Sequence, residues 1–343
     1  MRKLLNTLFV NTEDVYLSEK DENVVMWEKG KIVGQFPLHI LENIILFTYP
    51  GASPALMGKC AEYGIGVTFM TPNGRFLCRV TGMSRGNVLL RKEQYRISDD
   101  EKRAYPYVRN MLIGKIYNAR WTLGRYARDY PMRLHTDDIK RVTERLNQYL
   151  SDIRKADSVS IMRGIEGNSA AEYFSVFDEM ILNQKSEFIF KNRNRRPPLD
   201  NVNAMLSFCY TLLASDCANA LEATGLDAYV GFMHSDKPGR QSLALDLMEE
   251  LRAAFADRFV LSLINQKQVQ GKDFVKSEDG AVRFTDEARK KILTAWQEKK
   301  KTIITHPYLQ EKINWGLIPY VQALLLSRCI RGDLEEYPPF LWK

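Results

Sequence analysis

The sequence is short of cysteine and histidine, and these absences limit the chemistry it can support. Its five cysteines are odd in number and show no CxxC spacing, so neither a disulfide framework nor a cysteine-based zinc site is expected. Its four histidines make a site of several imidazoles hard to assemble. A metal site would have to combine carboxylates with one imidazole, a ligand set that suits Mg²⁺ or Mn²⁺ better than structural zinc.

Long apolar runs are also missing. No stretch approaches the roughly 20 apolar residues of a membrane-spanning helix. The start, Met1-Arg2-Lys3-Leu4-Leu5, is similar to that of a signal peptide, but the apolar stretch is broken at Asn6-Thr7 and ends at Asn11. No small-residue cleavage site follows, so a signal peptide is not predicted. We expect a cytoplasmic protein without membrane contact.

The sequence does contain a mild excess of positive charge. Its 49 Lys and Arg residues against 42 Asp and Glu give a net charge of +7. Because clustered cations attract phosphates and release counterions, this balance favours a polyanionic partner without requiring one. The length of 343 residues favours two domains.

The two halves of the chain differ in pattern, which predicts an α+β fold of two domains. Residues 1–96 carry short β-branched and aromatic stretches between turn signals, with hairpins at Gly30 and Pro72-Asn73-Gly74 and one helix from Ser53 to Tyr63. We interpret 1–96 as a β-rich N-terminal domain for dimerisation and partner contacts, and 97–343 as a mostly α-helical catalytic domain that holds a metal site. We predict helices over residues 99–130, 136–153, 170–182, 199–223, 242–259, 286–301 and 310–331, and an exposed loop over 270–284.

Glu166 stands between Gly164 and Gly167 in a helical context. Glycine costs roughly 1 kcal/mol against alanine inside a helix. The pair therefore suggests that another helix or a phosphate approaches the backbone closely. The alternative is a surface glutamate at a helix junction. Tyr173 shares the face of Glu166 if the helix is continuous.

His234 follows an apolar stretch in a loop that also holds Lys237 and Arg240. Its imidazole could bind a metal, and the two cations could bind a phosphate. The alternative is a loop histidine on a basic surface.

The helix that starts at Ser242 places Asp246 and Glu249 one turn apart, opposite an apolar stripe. Taken alone, this pattern is typical of an amphipathic helix with a solvated acidic face. Two carboxylates close to a histidine loop are also what a divalent-metal site would use.

A basic stretch from Lys191 to Arg196 precedes Pro197-Pro198. Arg195 and Arg196 could contact a phosphate backbone, and a solvated loop is the alternative.

The order of these elements is more specific than any one of them. Glu166 is followed by Arg-Pro-Pro-Leu-Asp-Asn-Val-Asn-Ala-Met-Leu (196–206) and by Gly-Phe-Met-His-Ser-Asp-Lys-Pro-Gly-Arg-Gln-Ser-Leu-Ala-Leu-Asp-Leu-Met-Glu-Glu (231–250). Over nearly the whole chain, this series resembles the spacer-acquisition integrase/endonuclease family of CRISPR systems. The likeness is greatest to the branch found in bacterial type I systems.

The resemblance implies a metal-dependent DNA endonuclease and integrase, a hydrolase of phosphodiester bonds that inserts foreign DNA fragments as new spacers into a CRISPR array in antiviral defence. By position, it implies Glu166, His234 and Glu249 as ligands of Mg²⁺ or Mn²⁺, with Asp246 next to them as part of the catalytic set. Some relatives have Asp in place of Glu249, so the direct ligand is either Asp246 or Glu249.

The resemblance also implies partners. These are double-stranded DNA as fragment and as repeat target, a second copy of the chain in a homodimer, and a small companion CRISPR-associated protein in a larger integration complex. The residues expected to contact the phosphates of that DNA are Lys237, Arg240, Arg195 and Arg196.

Two other functions are compatible with the same residues. One is a non-catalytic DNA-binding scaffold, which would bind DNA in a salt-sensitive way without metal-dependent strand transfer. The other is a metal phosphoesterase that acts on RNA or small phosphoesters through the same ligands.

Overall fold

The computed structural model describes residues 6–12, 14–71, 76–80 and 88–343, and it confirms a mixed α/β chain in which strands precede a mostly helical region. The strands are β1 (Asn6–Val10), β2 (Val15–Lys20), β3 (Asn23–Glu28), β4 (Lys31–Pro37), β5 (Leu41–Leu46), β6 (Gly66–Met70), β7 (Phe76–Val80), β8 (Phe274–Lys276), β9 (Val282–Phe284), β10 (Ile303–Thr305) and β11 (Lys312–Asn314). The helices are α1 (Pro54–Tyr63), α2 (Val88–Ser98), α3 (Glu101–Asp129), α4 (Thr136–Lys155), α5 (Val159–Ser175), α6 (Asn201–Ala223), α7 (Ser242–Glu249), α8 (Arg258–Asn265), α9 (Asp286–Lys301) and α10 (Ile318–Ile330).

The chain forms two compact units. The first consists of Met1–Arg85, Phe284–Ile303 and Asn314–Leu317, and the second consists of Gly86–Arg283, Ile304–Ile313 and Ile318–Lys343. The compact units and the predicted domains are not the same division, since α9 belongs with the strands of the first unit. The dimerisation and partner roles assigned to residues 1–96 stay predictions.

The first unit contains two sheets. In one, β1, β5 and β6 run parallel and β7 is antiparallel to β6. The other is the antiparallel meander β2-β3-β4. Apolar side chains from both sheets form the core of this unit, and Val10, Leu17 and Ile44 are fully buried in it.

Local signals place the short elements of this unit where the sequence predicts them. Ser53 Oγ accepts a hydrogen bond from Leu56 N (3.1 Å), Pro54 is the first residue of α1, and Gly64 ends it with a φ of +67°. Gly30, with a φ of +78°, turns β3 into β4 as predicted. The predicted turn at Pro72-Asn73-Gly74 lies outside the described residues.

The second unit is organised around α3, which packs against α4, α5 and α7. Most of α6 is buried, consistent with its apolar sequence. Within the described ranges, no helix is long and apolar enough to cross a membrane.

One interruption of a helix matters for the site. The predicted helix over 242–259 is instead α7, then a π-helical turn at Arg252–Asp257, then α8. Asn118 Nδ2 donates to the carbonyl of Glu250 (2.7 Å) where the regular pairing ends. A π-helical turn often marks a functional position.

Four other predictions of elements need correction. Helix α5 begins at Val159 rather than 170, because Ser158 caps it and both glycines stay helical. The predicted loop over 270–284 contains the hairpin β8–β9, closed by Gly280 with a φ of +80°. The predicted helix over 310–331 begins only at Ile318, after β11. Helix α2 begins at Val88, within the range 1–96 that was predicted to be β-rich.

Candidate functional site

Two helices and one loop of the second unit contribute the predicted metal-site residues. Glu166 lies on α5, Asp246 and Glu249 on α7, and His234 on the loop before α7. Arg163, one turn before Glu166, donates to the carbonyl of Met233 and so ties α5 to that loop.

The carboxylate of Asp246 is completely buried and holds the histidine loop in place. Its Oδ2 accepts hydrogen bonds from the backbone N–H groups of Phe232 (2.7 Å) and Met233 (2.9 Å), and its Oδ1 accepts one from His234 N (3.0 Å). Oδ1 also lies 2.5 Å from His234 Nδ1. Both oxygens of Asp246 therefore bind the loop, and Asp246 orients the imidazole.

Gly231 permits this close packing. A Cβ at that position would lie 2.8 Å from Asp246 Oδ2 and 2.8 Å from Ser242 Cβ. No side chain could be placed there without moving α7 or the loop.

His234 is left with one ring nitrogen for a ligand. Asp246 accepts from Nδ1–H, which assigns the tautomer in which Nε2 carries a lone pair. The side chain is 26% exposed, so a ligand can reach it. This is the carboxylate–histidine arrangement that fixes metal-binding imidazoles in proteins.

Glu166 and Glu249 are brought together by one lysine that the sequence analysis did not identify. Lys115, on α3, contacts Glu166 through its ammonium group and lies 2.7 Å from Glu249 Oε2. Only 13% of the Lys115 side chain and 4% of the Glu249 side chain are exposed. A partly buried cation thus bridges the two predicted acidic ligands.

Arg252 is the second cation at Glu249, with Nη2 2.9 Å from Oε1. Burial opposes ionisation of Glu249, but the charges of Arg252 and Lys115 outweigh it and lower the pKa of this carboxyl to about 2. His234 is close enough to contribute to the same lowering of the pKa. Glu249 is therefore ionised at neutral pH.

The donor set fits a hard divalent ion, although the protein itself fills the position between the acids. Two carboxylates and one imidazole nitrogen are ligands that Mg²⁺ and Mn²⁺ accept. In the part of the chain that the structure describes, however, no three His, Cys, Asp or Glu side chains stand close enough to hold one ion together. Lys115 occupies the place between Glu166 and Glu249.

A cavity with about 480 Å³ of empty volume adjoins the acid pair. Both charged and apolar residues line it, and Tyr173 shares it with Glu166, as predicted for a continuous helix. Tyr210 OH donates to Asp257 Oδ1 (2.6 Å) at its wall. Burial raises the pKa of Asp257 to about 6 despite this hydrogen bond.

The predicted phosphate contacts fall into two groups. Arg195 is exposed and lines the cavity together with Glu166, and Arg196 is exposed beside it. Lys237 is exposed on the histidine loop, whereas Arg240 donates to Ser235 Oγ (3.1 Å) and stabilises the loop itself. Contact of these residues with DNA stays a prediction.

The structure decides two alternatives that the sequence left open. The acidic face of α7 is not solvated, because Asp246 and Glu249 are both buried. No described residue outside the helix packs closely on the glycines around Glu166, since a Cβ on Gly164 or Gly167 would meet no described atom within 4 Å. Beside them, the helix surface is open to an external group.

The sequence pattern does not identify Lys115, Arg252 or Asp257 as site residues, and the reason is the same for all three. Each acts through a partner on another element or in an adjacent turn, and each sits among apolar residues. A lysine next to Gly114 within the apolar run from Met111 to Ile116 was the one available signal, since an unpaired buried lysine is costly.

Comparison with known proteins gives consistent results. The family model for CRISPR associated protein Cas1 matches residues 8–298. The CRISPR-associated endonuclease Cas1 1 of Chlorobaculum tepidum is 47% identical over 343 residues, which cover 100% of each chain.

Two solved structures share the fold. A casposase bound to integration product superposes with a TM-score of 0.84 at 21% identity, covering 98% of this chain and 93% of that one. A Cas6-RT-Cas1–Cas2 complex superposes with a TM-score of 0.80 at 23% identity, covering 98% of this chain and 36% of the other.

Proposed function

Because this chain belongs to the Cas1 family of CRISPR-associated proteins, we propose that it is a divalent-metal-dependent DNA endonuclease and integrase. Its reaction would insert captured foreign DNA as new spacers into a CRISPR array. The observation that carries the proposal is the convergence of two carboxylates on one partly buried cation beside an imidazole that Asp246 orients.

In this proposal, Glu166 and Glu249 supply carboxylate oxygens to the ion and His234 supplies Nε2. Asp246 serves as the residue that positions His234, because its oxygens are already bound by the loop. The choice left open between Asp246 and Glu249 is thereby made in favour of Glu249 as ligand.

A bound Mg²⁺ or Mn²⁺ would polarise a phosphate oxygen and stabilise the charge that develops on the leaving oxygen. The chain's own part is to hold the reacting groups. The 3′-hydroxyl of the fragment attacks a phosphodiester at the repeat boundary, one P–O bond forms and one breaks, and a 3′-hydroxyl is released. Arg195 and Arg196 stand where they can hold the phosphates of a strand that enters the cavity.

A half-site integration assay on a supercoiled plasmid that carries a repeat tests this proposal. We expect nicking or joining with Mn²⁺ or Mg²⁺, none with EDTA, and a loss of at least about 100-fold in the His234→Ala variant, since the imidazole is one of the proposed ligands. DNA binding should largely survive in that variant.

His135→Ala is the matched control, because His135 is 81% exposed and pairs only with Glu179. Full activity of His234→Ala would refute the site. Salt-sensitive DNA binding without any metal-dependent reaction would favour the scaffold, and preference for RNA or small phosphoesters would favour the phosphoesterase.

The partners are proposed on the basis of the family. We propose a homodimer that engages double-stranded DNA and a small companion of the Cas2 type, as the complex with the same fold contains Cas1 and Cas2. Light scattering of the protein alone and after mixing with the companion would test this. A monomer that gains no mass on mixing would contradict it.

A further inference from the structure

Lys115 has an unusual position for a lysine. It lies in the middle of α3, it is 13% exposed, and its ammonium group contacts Glu166 on α5 and Glu249 on α7. A single positive charge therefore sits between two acids that reach it from different helices. It does so where both acids are proposed to bind a metal.

The charge balance explains why the acids need this lysine. Two carboxylates that share a buried site repel each other, which costs free energy unless a cation lies between them. Arg252 neutralises one oxygen of Glu249. Lys115 is the cation that reaches both carboxylates, so it keeps the acid pair charged and close together.

Lys115 and a divalent ion cannot both lie between the carboxylates of Glu166 and Glu249 at the same time. An ion held by both carboxylates would take oxygens that the ammonium group now contacts. Two cations that share the same carboxylate oxygens repel strongly in a poorly solvated site.

The structure provides space for Lys115 to move. Its side chain lines the cavity next to the acid pair, and the carboxylate of Asp257 lines the same cavity. Because Lys115 and Asp257 line the same cavity, an ammonium group displaced from the pair would have open space and a carboxylate beside it.

We propose that the ammonium group of Lys115 holds the place of the divalent ion in the metal-free protein and exchanges with it when the ion binds. Lys115 is thus a positioning residue that pre-assembles the acid pair and lowers the affinity for metal. The inference rests on the proposed metal site of Glu166 and Glu249.

Calorimetric titration of the full chain with Mn²⁺ tests the competition. We expect Lys115→Met to bind Mn²⁺ at least about tenfold more tightly than the wild type, because the ion no longer has to displace a cation. In EDTA, the variant should unfold at a lower temperature, since its carboxylates repel without compensation. Lys102→Met, an exposed lysine on the same helix, should change neither quantity.

An amine-reactive reagent tests the exchange in the wild-type protein, and this measurement decides if Lys115→Met fails to fold. We expect labelling of Lys115, read by mass spectrometry, to rise severalfold on addition of Mn²⁺. Lys185, which is 48% exposed and paired with Asp178 at the surface, is the internal control and should not change.

The outcomes separate this inference from the proposed function. If the wild type binds no divalent ion, both fail. If it binds Mn²⁺, but Lys115→Met binds it no more tightly or labelling of Lys115 does not rise, the exchange is refuted and the metal site stands.

Discussion

At the scale of single residues, Asp246 and Glu249 show how neighbours of the same chemistry acquire different tasks. Both are buried acids on α7. Asp246 accepts hydrogen bonds from three backbone N–H groups of the histidine loop, whereas Glu249 is paired with the side chains of Lys115 and Arg252. The hydrogen bonds of Asp246 fix the conformation of the loop. The ion pairs of Glu249 are made with side chains, which a ligand could displace.

This difference predicts distinct effects of two conservative substitutions. Asp246→Asn replaces an acceptor oxygen by a donor and disturbs the orientation of His234, so we expect a 10- to 100-fold loss of metal affinity, about the size measured when the partner of a metal-bound histidine is removed. Glu249→Gln removes a proposed ligand and should cost more. Calorimetry with Mn²⁺ measures both, and a larger loss in Asp246→Asn would reverse the two assignments.

Asp257 predicts a pH dependence of stability. Its pKa is raised by burial from 3.8 to about 6 in the folded protein. A raised pKa means that the contribution of this group to stability is present below the unfolded value and is lost as pH rises through the folded value. Asp257→Asn should therefore flatten the decline in the free energy of unfolding between about pH 4 and 6, by at most about 3 kcal/mol.

Urea unfolding at several pH values checks this expectation. The control is Asp137→Asn, because the Asp137 side chain is 97% exposed and this change should leave the pH profile as it is. Parallel profiles of the wild type and Asp257→Asn would contradict the role of Asp257.

At the scale of elements, α3 makes the contacts that hold the turn at Glu249 and Glu250, here called the acid turn. Lys115 bridges the two acids, Asn118 donates to Glu250 O, and Gly114 lies against the Glu250 side chain. These three residues lie within four positions of one another. One face of one helix therefore sets the position of the turn that carries Glu249.

The close approach at Gly114 predicts a contrast between two glycines of the same helix. A Cβ on Gly114 would lie 2.8 Å from Glu250 Cβ and 3.2 Å from Pro339 Cβ, so Gly114→Ala should destabilise the protein by about 1–3 kcal/mol through overpacking. Gly124→Ala meets no described atom within 4 Å and should stabilise it by about 0.5–1 kcal/mol. Thermal unfolding of both variants measures the contrast, which equal effects would contradict.

The bounds of helices and hairpins could be predicted from the sequence where a residue at the boundary itself determines them. The caps of α1, the bounds of α9 and the hairpin at Gly30 follow from Ser53, Thr285 and Gly30 themselves. The break between α7 and α8 was not predictable, because its sequence has an unbroken helical period. Its cause is the contact of Glu250 with Asn118, which is 132 residues away.

At the scale of the whole molecule, the predicted ligands could be identified from the sequence, whereas the residues that hold them depend on contacts between distant parts of the chain. The family resemblance, now confirmed, pointed to Glu166, His234 and Glu249 by position in the chain. Lys115 is 51 residues from Glu166, and only the tertiary structure reveals their contact. Charge pairs of this kind leave no periodic pattern in a sequence.

The last residues of the chain return to the acid turn and support it. Phe340 is fully buried, its N–H donates to Glu250 Oε2 (2.8 Å), and its carbonyl accepts from Asn118 Nδ2 (2.7 Å). Trp342 N donates to Asn118 Oδ1 (2.9 Å), and the guanidinium of Arg258 lies 4.1 Å from the centre of the Trp342 ring.

These contacts of the C-terminal residues predict that substitution of Phe340, which is far from Glu249 in sequence, affects both stability and the site. Phe340→Ala should lower the free energy of unfolding by about 3–5 kcal/mol, because it leaves a cavity where a fully buried ring packs against His306. Metal-dependent activity should fall with it. Leu324→Ala, a 39% exposed apolar residue on α10, is the control that should cost much less, and urea unfolding would compare the two.

The π-helical turn at Arg252–Asp257 has a consequence for the comparison of relatives. A single inserted residue converts an α-helical turn into a π-helical one, and it lets Arg252 and Asp257, five positions apart, face the same cavity. In a plain α-helix they would diverge by roughly 140°. A homologue that lacks one residue between Glu249 and α8 would rotate every later side chain by about 100°. An alignment gap at this point would therefore change which side chains face the cavity.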